Sequence, residues 1–192
     1  MSVLLLGSRK KMSEKTKIRG RRVSPIIVAS ALFLASSWSA FGKAYFYTRS
    51  ELIQKAQVIA IINVEEPTEP PPSIRGGNDP FAPPVIGKWA YGQQAKVRVE
   101  KILKGEAPKE FVIYGGESFI CAQCRLSKGR FLAFLSKDGD LWVGANWEFS
   151  LRPVRSDEVE WYGSKEPFPM KLQKLAEVVT EIQAVLEKQQ SK

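Results

Sequence analysis

The sequence predicts a mainly β domain that follows an export leader and is closed by a C-terminal amphipathic helix. Three observations lead there. First, AKVRV (Ala95–Val99), FVIY (Phe111–Tyr114), RFLAFL (Arg130–Leu135) and LWVGANW (Leu141–Trp147) follow one another closely, with Lys104-Gly105, Gly115-Gly116, Lys128-Gly129 and Asp138-Gly139 between them. Short β-type runs punctuated by glycine turns are the pattern of a small barrel or sandwich. Second, Phe168–Gln189 sets Leu172, Leu175, Val179, Ile182 and Leu186 at helical spacing, opposite Lys171, Lys174, Glu177, Glu181 and Lys188. Third, the basic stretch Lys10–Arg22 is followed by Val23–Gly42, which carries no charge.

The leader also accounts for the basicity. Of the net charge of +9 over 192 residues, residues 1–44 supply +8, from nine Lys/Arg and the single acid Glu14, which leaves +1 for residues 45–192. A near-neutral domain lacks the basic face that phosphate binding needs, so no nucleic-acid partner is expected. A basic region, an apolar core and small residues at its end describe a secretory signal. Ala40-Phe41-Gly42 and Gly42-Lys43-Ala44 both fit the small-x-small rule, and cleavage is expected after Gly42 or Ala44. The alternative is a retained inner-membrane anchor, because a spanning helix needs about 20 apolar residues. That anchor is the sole expected contact with a membrane. In either case the positive end stays in the cytoplasm and the domain lies in the periplasm or is secreted. Met12 is an alternative start.

Past residue 45 the elements come in order. Ser50–Ala56 reads as a short helix, with Ser50 as N-cap and Glu51 favoured by the helix dipole. Val58–Val64 (VIAIINV) is a continuous apolar run, suited to a strand buried on both faces. Glu65–Gly87 holds seven prolines and reads as an exposed, extended loop without regular structure. It is either a recognition segment, with Pro70, Pro71, Pro72 and Phe81 as its candidate contacts, or a tolerated insertion. Trp89–Leu103 is a long strand whose alternation slips near Lys101-Ile102, where a bulge is expected. The Asp138-Gly139 pair predicts a type I′ hairpin between the last two runs. RFLAFL is apolar on both faces, so the C-terminal helix is expected to cover its outer one. The resulting division is a leader (1–44), a barrel (45–154) with its Pro-rich loop (65–87), and a linker with helix (155–192).

Chemistry-bearing residues are few. The chain has no His and two Cys, so neither a four-ligand Cys/His zinc site nor a Ser-His or Cys-His nucleophile can be assembled from it. No cofactor, metal or catalytic residue is expected, and the chain does not read as an enzyme. Cys121-Ala122-Gln123-Cys124 lies between two strands rather than at the head of a helix. It reads as a structural disulfide of an oxidising compartment, with a redox-active pair or a haem or metal accessory as alternatives. A c-type haem would want His at 125, where Arg125 stands. Among the aromatics, Tyr91 and Trp142 fall on the outward register and are the candidate binding face.

Taken together, Val99-Glu100-Lys101-Ile102-Leu103-Lys104-Gly105, then Pro108-Lys109-Glu110, then Gly129-Arg130-Phe131-Leu132-Ala133-Phe134-Leu135 resemble bacterial exported domains similar to tissue inhibitors of metalloproteinases, the netrin-like branch of the OB-fold. The resemblance spans roughly Ser50–Val154 and implies a five-stranded, partly open barrel. In the animal inhibitors a disulfide-tied N-terminal cysteine chelates the protease zinc. A mature chain starting near Lys43 or Tyr45 has no cysteine there, so the resemblance carries the barrel and not that wedge. The expectation is an exported, non-enzymatic binding domain for a protein or glycan. Metalloprotease inhibition through a loop and thiol–disulfide exchange through Cys121 and Cys124 are the alternatives.

Overall fold

The structure, a computed structural model, describes residues 45–75, 90–117, 123–168 and 170–190. The leader with its cleavage sites, Phe81 and Trp89, and Cys121 all lie outside the described residues. Among the described residues no helix is long and apolar enough to cross a membrane.

Helix α1 (Arg49–Lys55) is set by Thr48 rather than Ser50. Glu51 Oε2 accepts from Thr48 N at 3.0 Å while Thr48 Oγ1 accepts from Glu51 N, a reciprocal capping box that needs the acid three residues after the cap. At the other end Lys104 Nζ donates to the carbonyls of Ile53, Gln54 and Ala56, each at 2.7 Å, supplying the donors that a helix C-terminus lacks.

Strands β1 (Val58–Val64), β2 (Tyr91–Lys104), β3 (Glu110–Glu117), β4 (Gly129–Asp138) and β5 (Leu141–Gly144) form a closed ring. β1 pairs antiparallel with both β2 and β4, so the spatial order 4-1-2-3 is a Greek key. β5 closes it, antiparallel to β4 and parallel to β3 through Ile113↔Trp142 and Tyr114↔Val143. The β1–β2 register slips twice, flanking Lys101-Ile102, where the sequence alternation fails. The β4–β5 hairpin forms with Gly139-Asp140 as its two central residues. Gly139 has φ +59 and Asp140 is not in the left-handed region, so the turn is of the II′ kind rather than the expected I′. LWVGANW stops being a strand at Gly144, and Trp147–Ser150 is a 3₁₀ turn.

The doubly apolar runs are explained by two cores. Val58, Ala60, Ile62, Phe131, Ala133 and Leu135 fill the barrel together with Cys124 and Leu126, whose segment plugs one end. Ile59, Ile61, Leu132 and Phe134 point outward and are covered by α1, by strands β6 (Leu151–Arg155) and β7 (Glu158–Tyr162), and by helix α3 (Leu175–Gln190). The Phe134 ring stacks on Trp161 at 5.6 Å. Strand β6 pairs with β4, and β6, β7 and β8 (Met170–Lys174) extend the sheet to eight strands. The C-terminal helix therefore covers the outer face as expected but starts at Leu175, not Phe168. Met170–Lys174 pairs with β7 instead, which leaves Leu172 62% exposed. The Pro-rich loop is also more regular than expected: Thr68 bridges Gln94, and Pro72–Arg75 makes one helical turn, α2, that buries Ile74. Pro at the first helical position has no N–H to leave unpaired.

Candidate functional site

The β2–β3 face of the barrel carries a groove of about 250 Å³. Lys96 and Arg98 on β2 face outward because Ala95 and Val97 between and beside them are packed inside. Glu110 and Phe111 on β3, and Glu65 at the start of the Pro-rich loop, complete its walls. Arg98 Nε meets Glu110 at 3.1 Å, an exposed pair that orders the rim and adds at most about 1 kcal/mol. Phe111 links the groove to Trp142, with ring centroids 5.3 Å apart, and Lys137 Nζ sits 4.0 Å over the Trp142 ring. Phe111 pairs with the interior Val97, and Trp142 with the interior Ile113, so both half-buried rings pack against the barrel core and back the groove rather than standing on the outward register expected for Trp142. Lys96, Arg98 and Phe111 were missed; strand alternation had marked the first two as wet without ranking them.

Tyr91 is not on that face. It is 1% exposed, packed against Ile74, Leu141 and Val143 under α2, and its hydroxyl donates to Asp138 Oδ2 at 2.8 Å. The correction has a physical reason: α2, unforeseen in a proline-dense loop, covers the strand end that alternation left open. Pro70 is buried in the same turn of chain, while Pro71 and Pro72 are exposed. Burial, then the bond to Asp138, pushes the Tyr91 phenol well above its ordinary range.

Cys124 lies in the barrel plug. Its N–H donates to Glu117 Oε2 at 2.8 Å and its carbonyl accepts from Gly116 N at 2.8 Å. Burial first, and the nearby Glu117 second, push the thiol far above the thiolate range. Cys124 is a free thiol in this structure, and its expected disulfide partner Cys121 lies outside the described residues. Glu117 is itself 4% exposed, and burial raises its carboxyl against the opposing pull of two backbone N–H donors. Among the described residues no group of three or more His, Cys, Asp or Glu is placed to hold a metal.

A second, larger groove of about 620 Å³ separates α3 from the bulged end of β1–β2, floored by Ile61, Leu175 and Val179, with Lys101 and Asp157 at its rim. Asp157 is held by Arg130 Nη1 at 2.8 Å. Compared with models of known protein families and with curated proteins, the chain matches none.

Proposed function

We propose that this is an exported, non-enzymatic binding domain built on an OB-type barrel of the netrin-like kind, which takes a protein or glycan on its β2–β3 face. The observation that carries this reading is the Glu65–Lys96–Arg98–Phe111 groove on the β2–β3 face of a closed Greek-key ring, where the β1–β2 loop begins and the Phe111–Trp142 pair backs the sheet. In OB-folds the strand 2–3 face and the loops between strands 1–2 and 4–5 are where extended polymers lie. The cations and acids along the groove offer polar anchors. The near-neutral charge of residues 45–192 favours peptide or sugar over nucleic acid. The basic and then uncharged leader supports export.

The position of Cys124 weighs against thiol–disulfide exchange, because exchange needs an accessible thiolate and this sulfur is buried beside a carboxylate. A structural bridge to Cys121, stapling the barrel plug, is the role we assign to the cysteine pair. The binding reading is tested with arrays of oligosaccharides and proline-rich peptides. Specific retention of the wild type, reduced at least tenfold in Trp142→Ala and in Arg98→Ala with the fold intact, is the expected result. Equal retention of all three proteins would overturn it.

A further inference from the structure

Away from this face, Arg152 on β6 is a buried cation, 6% exposed, with two unpartnered donors, Nε and Nη2, among the described residues. An interior guanidinium with unpaired donors is costly unless something accepts from them. Its place is dictated by the pattern of β6. Val154 two residues on faces the outer core, and Arg152 shares that register, pointing in among the aromatic rings of that core rather than into solvent. There its Cζ lies 4.4 Å over the Phe149 ring and 5.9 Å from the Tyr162 ring. The Tyr162 hydroxyl donates to Tyr47 O at 2.8 Å and accepts from the guanidinium, which leaves the Nε and Nη2 edge unpartnered. Glu148 and Glu160 act on the guanidinium through space, without a hydrogen bond to it.

The identity of the two free atoms matters. Nε–H and Nη2–H point the same way along one edge of the guanidinium plane, the fork that receives both oxygens of a carboxylate or phosphate in parallel bonds. The surrounding rings are apolar and aromatic: Phe46 and Phe149 lie 5.0 Å apart, and Phe168, 5.3 Å from Phe149, is 51% exposed where this cluster meets solvent. We propose that Arg152 is an oxyanion-binding residue whose Nε/Nη2 edge takes the paired oxygens of a ligand entering beside Phe168, the aromatic walls favouring a carboxylate on a planar or apolar body. This site lies outside the β2–β3 groove and does not depend on the function proposed for it.

The test follows the Arg152 Nε–H resonance of the ¹⁵N-labelled full chain while benzoate, acetate or inorganic phosphate is added. A saturable shift with benzoate tighter than acetate is expected; a response to phosphate as well would assign the site to oxyanions at large. In Arg152→Lys, which keeps the charge but loses the fork, benzoate protection against thermal unfolding should weaken about tenfold. In Arg152→Met it should vanish with the amide spectrum of β1 and β4 retained. If Arg152→Met does not fold, the lysine variant decides. No shift with any probe, or protection unchanged in Arg152→Lys, overturns the proposal. So does an Nε environment that changes in Glu148→Gln or Glu160→Gln without any probe, since the fork would then serve one of the chain's own carboxylates.

Discussion

At the scale of single residues, burial has changed the chemistry of the groups that looked reactive in sequence. Glu117 shows the direction most simply. Burial holds its carboxyl above the ordinary 4.5, so the folded protein binds that proton more tightly than the unfolded chain does. The stability this contributes is fully present below the unfolded pKa and is lost as the pH rises through the folded one. Glu117→Gln keeps an acceptor for Cys124 N–H and removes the titration. Urea unfolding should therefore show the variant more stable than wild type at pH 8 and the gap closed at pH 4. Gly144 makes a second residue-scale prediction. A Cβ there would stand 2.6 Å from Ser150 Cβ and 2.8 Å from Cys124 Sγ, so Gly144→Ala should cost about 1–3 kcal/mol by overpacking the plug. Neither residue was legible in the sequence, which shows an acid and a glycine near turns but not the plug folded back between them. Tyr91 was misread because the element that buries it comes from a proline-dense segment that periodicity cannot describe.

At the scale of elements, the C-terminal segment separates pattern from packing. Leu172 fits the apolar stripe of a helix starting at Phe168, yet it stands in β8 with its side chain in solvent, opposite Glu160. Ile182, later in the same stripe, is fully buried against the outer core. Leu172→Ala should thus change stability by no more than about 0.5 kcal/mol, while Ile182→Ala should cost about 2–5 kcal/mol, both read from chemical denaturation. A large loss at Leu172 would restore the longer helix. The β6–β7 hairpin was invisible for a related reason. Its turn uses Ser156 and Asp157 at φ 51 and 61, a left-handed pair without the glycine that usually signals it. Asp at the second position, between two alternating runs, was the one available hint. At the start of α1 the acid three residues after Thr48 was in plain view, and Thr48→Ala should cost about 1 kcal/mol of thermal stability.

At the scale of the whole molecule, the two-sided apolar character of VIAIINV and RFLAFL announced that something must lie on each side of these strands. The structure supplies a barrel interior on one side and a layer of helices and added strands on the other. That both runs are neighbours, Val58–Val64 antiparallel beside Gly129–Leu135, follows from the long-range pairing of β1 with β4, which no local pattern encodes. Closure on the other side rests on a two-residue parallel contact between β3 and β5, and it is this contact that turns the sheet into a ring and brings Trp142 beside Phe111. The most direct test is a proton NOE spectrum of the labelled protein, read at both seams. The account predicts cross-strand contacts between Ala60 and Ala133 together with parallel-type contacts linking Ile113 to Trp142 and Tyr114 to Val143. Contacts at the first seam with none at the second would mean an open sheet, and the binding face assigned to this protein would not exist.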